Sequence, residues 1–142
     1  MGIIRSMGIM GSNYGEKTKL IMTHPRDIAA AAAQELQGSF EGMSHRYVVS
    51  DEREISQIVK ILGTAIGKPE LPWVQFSDKE TFAGMTSAGM SEAIARTYVE
   101  MGTAINSGIL FEDFNQHRPD VWGSTKLGDF VKEFAAVYKS QG

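Results

Sequence analysis

The sequence predicts a mixed α/β domain in which helix is the larger part. In several segments the apolar residues recur at intervals of three and four, which is typical of amphipathic helices. Short runs rich in β-branched and aromatic residues lie between these segments, and Gly or Pro marks their ends. A chain of 142 residues has the length of one domain and can bury a core without disulfides or metal. We therefore expect residues 1–142 to form a single domain of strand-helix units followed by a helical C-terminal part.

Composition excludes several function classes. The 14 Lys and Arg residues against 17 Asp and Glu give a net charge of −3, which argues against a basic nucleic-acid binder. Cysteine is absent, which excludes a thiolate nucleophile and favours a reducing cytoplasm. The longest strictly apolar run, Ile28 to Ala33, is far shorter than the roughly 20 residues that span a membrane. The expected partners are a small molecule or another protein, with no nucleic acid and no membrane.

The first two predicted elements follow an unusual start. Residues 1–15 are apolar and Gly-rich without a clear period, as expected of an interior segment without its neighbours. Residues 19–23 then have the composition of a short strand. A helix is predicted from about Pro25 to Leu36, closed by Gly38, with Asp27 in its first turn, where a carboxylate complements the helix dipole.

The middle of the chain predicts a second strand-helix unit. Residues 46–49 have the content of a strand, and Ser50 or Asp51 is the expected helix cap, with Asp51 and Glu54 at the spacing of a capping box. In the helix that follows, one apolar stripe is expected to face the core, and Gly67 closes it. The stripe consists of Ile55, Ile58, Val59, Leu62 and Ile66.

The rest of the chain predicts one short strand and three helices. The strand covers residues 73–76, and Ser77 with Glu80 forms a capping box for a helix through about Ser87. Ser91 caps a longer helix through about residue 106, and Gly102 marks a weak point or a close helix contact. The apolar side of this helix is expected to hold Ile94, Tyr98, Met101 and Ile105. Residues 108–123 are predicted to be a packed loop, and residues 124–140 the last helix, with Leu127, Phe130, Val131, Phe134 and Tyr138 on one face.

No metal site or catalytic residue is predicted. His24, His45 and His117 lie far apart, and none has the spacing of a metal ligand pair. A hydrolase has no support either, since the chain has no G-x-S-x-G elbow. His24 stands out because it lies at a strand-to-helix junction, where a side chain can face a cleft.

The glycines between Gly8 and Gly15 do not form a dinucleotide-binding loop. Such a loop follows a strand and opens a helix, whereas these glycines precede polar residues and a further predicted strand. The catalytic Tyr and Lys of short-chain reductases lie four apart on a helix, but Tyr14 is followed by Lys17 at three. We therefore expect no cofactor to bind to this chain alone.

Several segments together suggest a family. The Asn13-Tyr14-Gly15 sequence followed by KLIMTHPRDIAAA resembles the stretch after the catalytic region in NmrA-like, atypical short-chain dehydrogenase/reductase proteins and related nucleoside-diphosphate-sugar epimerases. The resemblance continues through YVVSDEREISQIVKILGTAIGKPEL, WVQFSD, AGMSEAIARTYVEM and LGDFV, the last preceded by His117-Arg118-Pro119. It covers nearly all of the chain.

The resemblance implies a part of a larger protein. Full-length members carry an NAD(P)-binding Rossmann half before this region, and the present chain lacks it, so it corresponds to the C-terminal, substrate-side half. By resemblance, Asn13, Tyr14 and His24 lie toward the cofactor and substrate cleft, and Asp27 anchors the helix beside it. Since the family includes redox sensors that bind NAD(P) without turnover, the intact protein need not be an enzyme.

Two hypotheses follow. In the first, the chain is the C-terminal portion of an NAD(P)-dependent epimerase or reductase-type protein, inert alone and self-associating through its apolar start and the edge of the strand at residues 47–49. In the second, it is a free-standing ligand-binding or interaction module. Its pocket would be lined by Trp73, Phe82, Met85, Met90 and Met101.

Overall fold

The computed structural model describes residues 2–39 and 41–140, and within them it has the expected mixed α/β architecture with helix in the majority. The helices are α1 (Gly2–Ser6), α2 (Pro25–Glu35), α3 (Ile55–Ala65), α4 (Asp78–Ser87), α5 (Glu92–Ser107), α6 (Glu112–Gln116) and α7 (Leu127–Ser140), with a 3₁₀ turn at Ile109–Phe111. The strands are β1 (Met10–Ser12), β2 (Lys19–Met22), β3 (Asp51–Glu54) and β4 (Trp73–Gln75).

The strands form two small ribbons. Strand β1 pairs in parallel with β4, with Gly11 opposite Val74, and β2 pairs antiparallel with β3, with Met22 opposite Asp51. At the carboxyl end of the parallel ribbon, the Phe76 N–H donates to the Ser12 carbonyl at 2.9 Å. The two loops that leave this end, after β1 and after β4, are therefore neighbours.

The core lies between α3 and α7, with α1 against it. All five residues of the predicted α3 stripe are buried, and they cluster with Ile4, Leu71 and Leu127. Gly67 ends the helix with φ at +77°, a conformation that favours glycine. From the apolar start of the chain, Ile3, Ile4 and Met10 thus pack on the chain's own core, while Met1 lies outside the described residues.

The predicted starts of α2, α4 and α5 are confirmed. In α4 the Ser77 hydroxyl accepts from the Glu80 N–H at 3.2 Å, and the Glu80 carboxylate accepts from the Ser77 N–H at 2.8 Å. The Ser77 hydroxyl also donates to the Glu80 carboxylate at 2.7 Å, and this bond, followed by that from the Ser77 N–H, holds the pKa of the Glu80 carboxyl below its usual value. Helix α5 begins after its Ser91 cap.

The predicted strand at residues 46–49 is wrong, and so is the capping box of Asp51. The ladder with β2 begins only at Asp51, because the Val49 carbonyl instead accepts from the Gly123 N–H at 2.7 Å. Helix α3 is capped by Glu54 and Gln57. The Asp51 carboxylate accepts from the Leu127 N–H at 3.1 Å, so it caps α7 rather than α3.

The apolar side of α5 also differs from the prediction. Ile94, Tyr98 and Met101 are 51%, 47% and 42% exposed, and of the predicted set only Ile105 is buried. Helix α5 instead packs through small residues, since Ala95 and Gly102 are buried. Three members of the apolar stripe therefore remain at the surface.

The segment 108–123 is more ordered than the predicted loop. It contains the 3₁₀ turn and α6, with Phe114 buried, and α7 begins at Leu127 rather than near residue 124. Phe130 of α7 is exposed, whereas Leu127 is buried. Among the described residues, no helix is both long and apolar enough to cross a membrane.

Candidate functional site

An apolar cleft of about 400 Å³ runs along the β1–β4 ribbon. Helices α4 and α5 line one side of it, and helices α1 and α7 line the other. Its lining residues include Met10, Trp73, Met85, Met101 and Phe134, and none of those that the structure describes is charged. The hydroxyl groups among them belong to Ser12, Tyr14 and Tyr98. Apolar walls with a few polar groups are typical of small-molecule sites.

Tyr14 and Trp73 form one wall of the cleft. Their ring centroids lie 5.5 Å apart with 30° between the ring planes. The indole Nε1–H of Trp73 donates to the Tyr14 carbonyl at 3.1 Å, which fixes the orientation of the indole. The wall is thus an aromatic surface whose geometry is set before any ligand arrives.

Asn13 lies beside this wall and is buried. Its Nδ2 donates to Asp78 Oδ1 at 2.7 Å and to the Val99 carbonyl at 3.0 Å. A Cβ at Gly102 would overlap the Asn13 amide, so glycine is required there. Asn13 therefore joins the carboxyl end of β1 to the start of α4 and to α5. In open parallel sheets, ligands bind outside this end of the strands.

His24 occupies a different place, at the start of α2. Its Nδ1 accepts from the Arg26 N–H at 3.2 Å, so the imidazole serves as the helix cap. Its backbone N–H donates to the Ser50 hydroxyl at 2.8 Å. The ring lies edge-on to Phe130, with 6.3 Å between centroids. The side chain thus contacts α7 and its own helix.

Asp27 is buried next to Ser50. Its Oδ2 accepts from the Ser50 hydroxyl at 2.6 Å and from the Thr125 N–H at 3.1 Å, and its Oδ1 accepts from the Thr125 hydroxyl at 3.1 Å. The Ser50 hydrogen bond, followed by those of Thr125, holds the pKa of this carboxyl below its usual value, although burial opposes the shift. Asp27 thereby ties α2 to the segments that lead into β3 and α7.

A second, smaller cavity of about 200 Å³ lies over Asp27, with Arg46, Tyr47 and Trp122 among its lining residues. A Cβ at Gly123 would overlap the Asp27 carboxylate, so the 121–124 segment approaches α2 closely only because residue 123 is glycine. The carboxylate already accepts three hydrogen bonds from the chain, which indicates a structural role for it in this cavity.

The four residues singled out from the sequence thus form two pairs. Tyr14 lines the large cleft and Asn13 packs behind it against Gly102, whereas His24 and Asp27 meet at the start of α2 through Ser50. Their assignment to a cofactor or substrate remains a prediction.

The structure adds residues that the sequence reasoning missed. Tyr98, which was expected only on the apolar side of its helix, lines the cleft, and Asp78 and Thr125 are the partners of Asn13 and Asp27. No local pattern identifies such partners, because they lie 65 and 98 residues away along the chain. Of the pocket predicted for a free-standing module, Trp73, Met85 and Met101 line the cleft, whereas Phe82 lies under the Arg96 guanidinium.

A cluster of titratable side chains lies around α6, next to the smaller cavity, whose lining residue Tyr47 belongs to it. Asp113 accepts a hydrogen bond from the Tyr47 hydroxyl and lies 3.2 Å from His117 Nδ1. The bond from Tyr47, together with the charges of His117 and His45, lowers the pKa of the Asp113 carboxyl, and the same bond raises the pKa of Tyr47. Within residues 2–39 and 41–140, no group of three His, Asp or Glu side chains is arranged to hold a metal ion.

Comparison with known proteins identifies the fold. No protein-family model and no curated protein matches the sequence. Two solved structures do, both of triphenylmethane reductase from Citrobacter sp. One is 20% identical, with a TM-score of 0.72 over 95% of this chain and 47% of that chain. The other, complexed with NADP(H), is 22% identical, with a TM-score of 0.73 over 94% of this chain and 47% of that chain. The chain spans about half the length of these reductases and has the fold of that part of them.

Proposed function

We propose that the chain is the C-terminal, substrate-side portion of an NmrA-like, NAD(P)-binding reductase or epimerase-type protein, and that it is not catalytic alone. The observation that carries this proposal is the superposition of 94% of the chain on about half of a reductase that was crystallised with NADP(H). The apolar cleft along the β1–β4 ribbon is the part of the chain that would contact the substrate.

The residues of this chain do not fit a dinucleotide. A pyrophosphate needs a Gly-rich turn that opens a helix, but the segment from Gly8 to Gly15 holds β1 and leads into β2. The helix that starts nearest the cleft's strands, α4, carries Asp78 and Glu80 in its first turn, and these carboxylates repel phosphate. We therefore derive no cofactor chemistry from these residues and assign them to binding and orienting the substrate.

Calorimetric titration of the 142-residue chain with NADPH, NADP⁺, NADH and NAD⁺ tests whether this chain binds the cofactor by itself. We expect no binding heat from any of the four nucleotides. Saturable binding with a micromolar Kd would overturn the claim that the cofactor is held elsewhere.

The second candidate function is a free-standing ligand-binding module. One observation favours it, since three residues of the pocket predicted for such a module, Trp73, Met85 and Met101, line the cleft. A small apolar ligand that raises the melting temperature of the chain would support this function. A ligand screen without such a shift would count against it.

We also propose that the chain forms a homo-oligomer. Neither of the two features that suggested this holds, because residues 46–49 form no strand and the apolar start packs on the chain's own core. The β1–β4 ribbon remains, and parallel ribbons of two strands normally belong to larger buried sheets. We expect light scattering after size exclusion to give twice the chain mass of 15.6 kDa, and a concentration-independent monomer mass would contradict the proposal.

A further inference from the structure

We infer that the cleft binds a flat, uncharged aromatic molecule that carries a hydrogen-bond acceptor, such as an aryl ketone or aldehyde. This inference rests on the proposed role of the cleft as the substrate side, and it names the class of substrate.

Charge is the first reason. The lining residues that the structure describes contain no Lys, Arg, His, Asp or Glu. An ion moved from water into such surroundings loses its hydration and gains no partner, which is strongly unfavourable. Carboxylates, phosphates and ammonium groups are therefore disfavoured as parts of the ligand that enter the cleft.

Shape and polarisability are the second reason. The cleft volume of about 400 Å³ lies within the usual range for small-molecule sites. The Tyr14–Trp73 wall offers a surface on which a planar ring system stacks. Met85 and Met101 add thioethers, which make favourable contacts with aromatic rings. A sugar would leave most of its hydroxyls unpaired here.

The hydroxyl groups are the third reason. Neither Tyr14 nor Tyr98 donates its phenol hydrogen to any group in residues 2–39 and 41–140, whereas Tyr47 outside the cleft donates to Asp113. The Ser12 hydroxyl already points to Asn13 Oδ1 at 3.4 Å. Among the side chains that line the cleft, these two phenols therefore have a donor hydrogen to spare, and a carbonyl oxygen is a group that they suit.

Four probes that share one ring system separate these features. We would measure their dissociation constants by equilibrium dialysis against the 142-residue chain. The probes are 2-acetylnaphthalene, naphthalene, 2-naphthoate and 2-naphthylmethylammonium. We expect 2-acetylnaphthalene to bind about 2- to 12-fold more tightly than naphthalene, the range of one net hydrogen bond, and the two ions to bind more weakly than either. Binding of an ion as tight as that of the ketone, or no binding of the ketone, would overturn the inference.

Two conservative variants test the donors. Tyr14→Phe and Tyr98→Phe keep the rings and remove the hydroxyls, so at least one of them should erase the advantage of 2-acetylnaphthalene over naphthalene while naphthalene binding stays unchanged. Tyr138→Phe is the matched control, because Tyr138 packs on the α3–α7 core. If the ketone keeps its advantage in the Tyr14→Phe/Tyr98→Phe double variant, the phenols do not bind the acceptor and the inference is wrong.

These outcomes are distinguishable from failure of the proposed function. Nucleotide binding by the chain alone would overturn the claim that the cofactor is held elsewhere, whether or not the naphthalene probes bind. Absence of probe binding would overturn only the substrate class, provided that the nucleotides also give no heat.

Discussion

The amide of Asn13 occupies the position that a Cβ at residue 102 would need, so a glycine fits there without a clash. The same amide hydrogen bonds Asp78 and the Val99 carbonyl. A buried amide with satisfied donors fixes one arrangement of its neighbours, here the end of β1 against α4 and α5. One side wall of the cleft therefore depends on a contact between a single glycine and a single asparagine.

The first prediction concerns this contact. Gly102→Ala places a methyl group against Asn13 and should lower the free energy of unfolding by about 1–3 kcal/mol, as overpacking does. Gly84→Ala, in the interior of α4 with nothing within 4 Å of its added Cβ, should instead raise it by about 0.5–1 kcal/mol through helix propensity. Urea unfolding measures both. Equal effects of the two substitutions would contradict the packing that we describe.

The second prediction concerns Asp27. Since the hydrogen bonds from Ser50 and Thr125 hold its folded-state pKa below the usual value of an aspartic acid, the stability that its ionised form supplies is fully present above that usual value. This stability is lost as the pH falls through the folded-state pKa, because the unfolded chain takes up the proton first. Asp27→Asn should therefore be less stable than the unmodified chain at neutral pH, and should lose stability less steeply between about pH 5 and pH 3.

Urea unfolding at several pH values measures this slope. Asp120→Asn, an exposed site for which no hydrogen bond to Ser50 or Thr125 exists, is the control and should leave the slope unchanged. An Asp27→Asn slope as steep as that of the unmodified chain would show that this carboxylate is not held ionised by its neighbours.

At the residue scale, the sequence predicted the residues of interest but not their hydrogen-bond partners. It selected Asn13, Tyr14, His24 and Asp27 by resemblance, and three of them have hydrogen-bonded side chains in defined places. Their partners were not predictable, because Asp78, Ser50 and Thr125 become neighbours only when distant segments pack. A hydrogen bond of this kind leaves no periodic signal in the chain.

At the scale of elements, the sequence correctly predicted the helices whose position depends on local periodicity and capping. Helices α3 and α4 have strong periods or caps, and both occur where expected. The sequence of β3, DERE, has low strand propensity, and only its pairing with β2 makes it a strand. Local spacing also assigned Asp51 as the cap of α3, although its carboxylate accepts from the Leu127 N–H at the start of α7.

The third prediction concerns the capping box of α4. Ser77→Ala removes the acceptor for the Glu80 N–H and should cost about 1 kcal/mol of stability. Ser77→Thr keeps a hydroxyl that can accept from the Glu80 N–H and donate to the Glu80 carboxylate, and it should recover most of that loss. Ser87→Ala, at the last residue of the same helix, should change stability by less than about 0.5 kcal/mol. Urea unfolding midpoints of the three variants test the cap, and a loss in Ser87→Ala equal to that in Ser77→Ala would contradict it.

The apolar side of α5 is exposed because a different face of this helix packs on the rest of the protein. The periodic pattern correctly indicated a helix with an apolar face, but the small residues Ala95 and Gly102 form the face that packs. Periodicity reports where apolar residues lie, whereas close packing of a helix depends on how near its backbone can approach. As a result, Tyr98 and Met101 are available to line the cleft.

At the scale of the whole molecule, the cleft joins parts of the chain that are distant in sequence. Tyr14 follows β1, Trp73 lies in β4, and Tyr98 and Met101 belong to α5. The chain also superposes on only 47% of the reductases that it resembles in fold. Both facts agree with a substrate-side portion whose cofactor is bound by residues outside this chain, as we propose.

The most direct test of this proposal is the NMR spectrum of ¹³C-methyl-labelled methionine in the 142-residue chain. Met10, Met85 and Met101 line the cleft, whereas Met43 is 99% exposed in the loop after α2. We expect 2-acetylnaphthalene to shift the three cleft methyl signals and to leave Met43 unchanged, and NADPH to shift none of the four. Saturable shifts of the cleft methyl signals by NADPH would contradict a cofactor that is held outside this chain, whereas an absence of shifts with the aromatic ketone would contradict only the inferred substrate class.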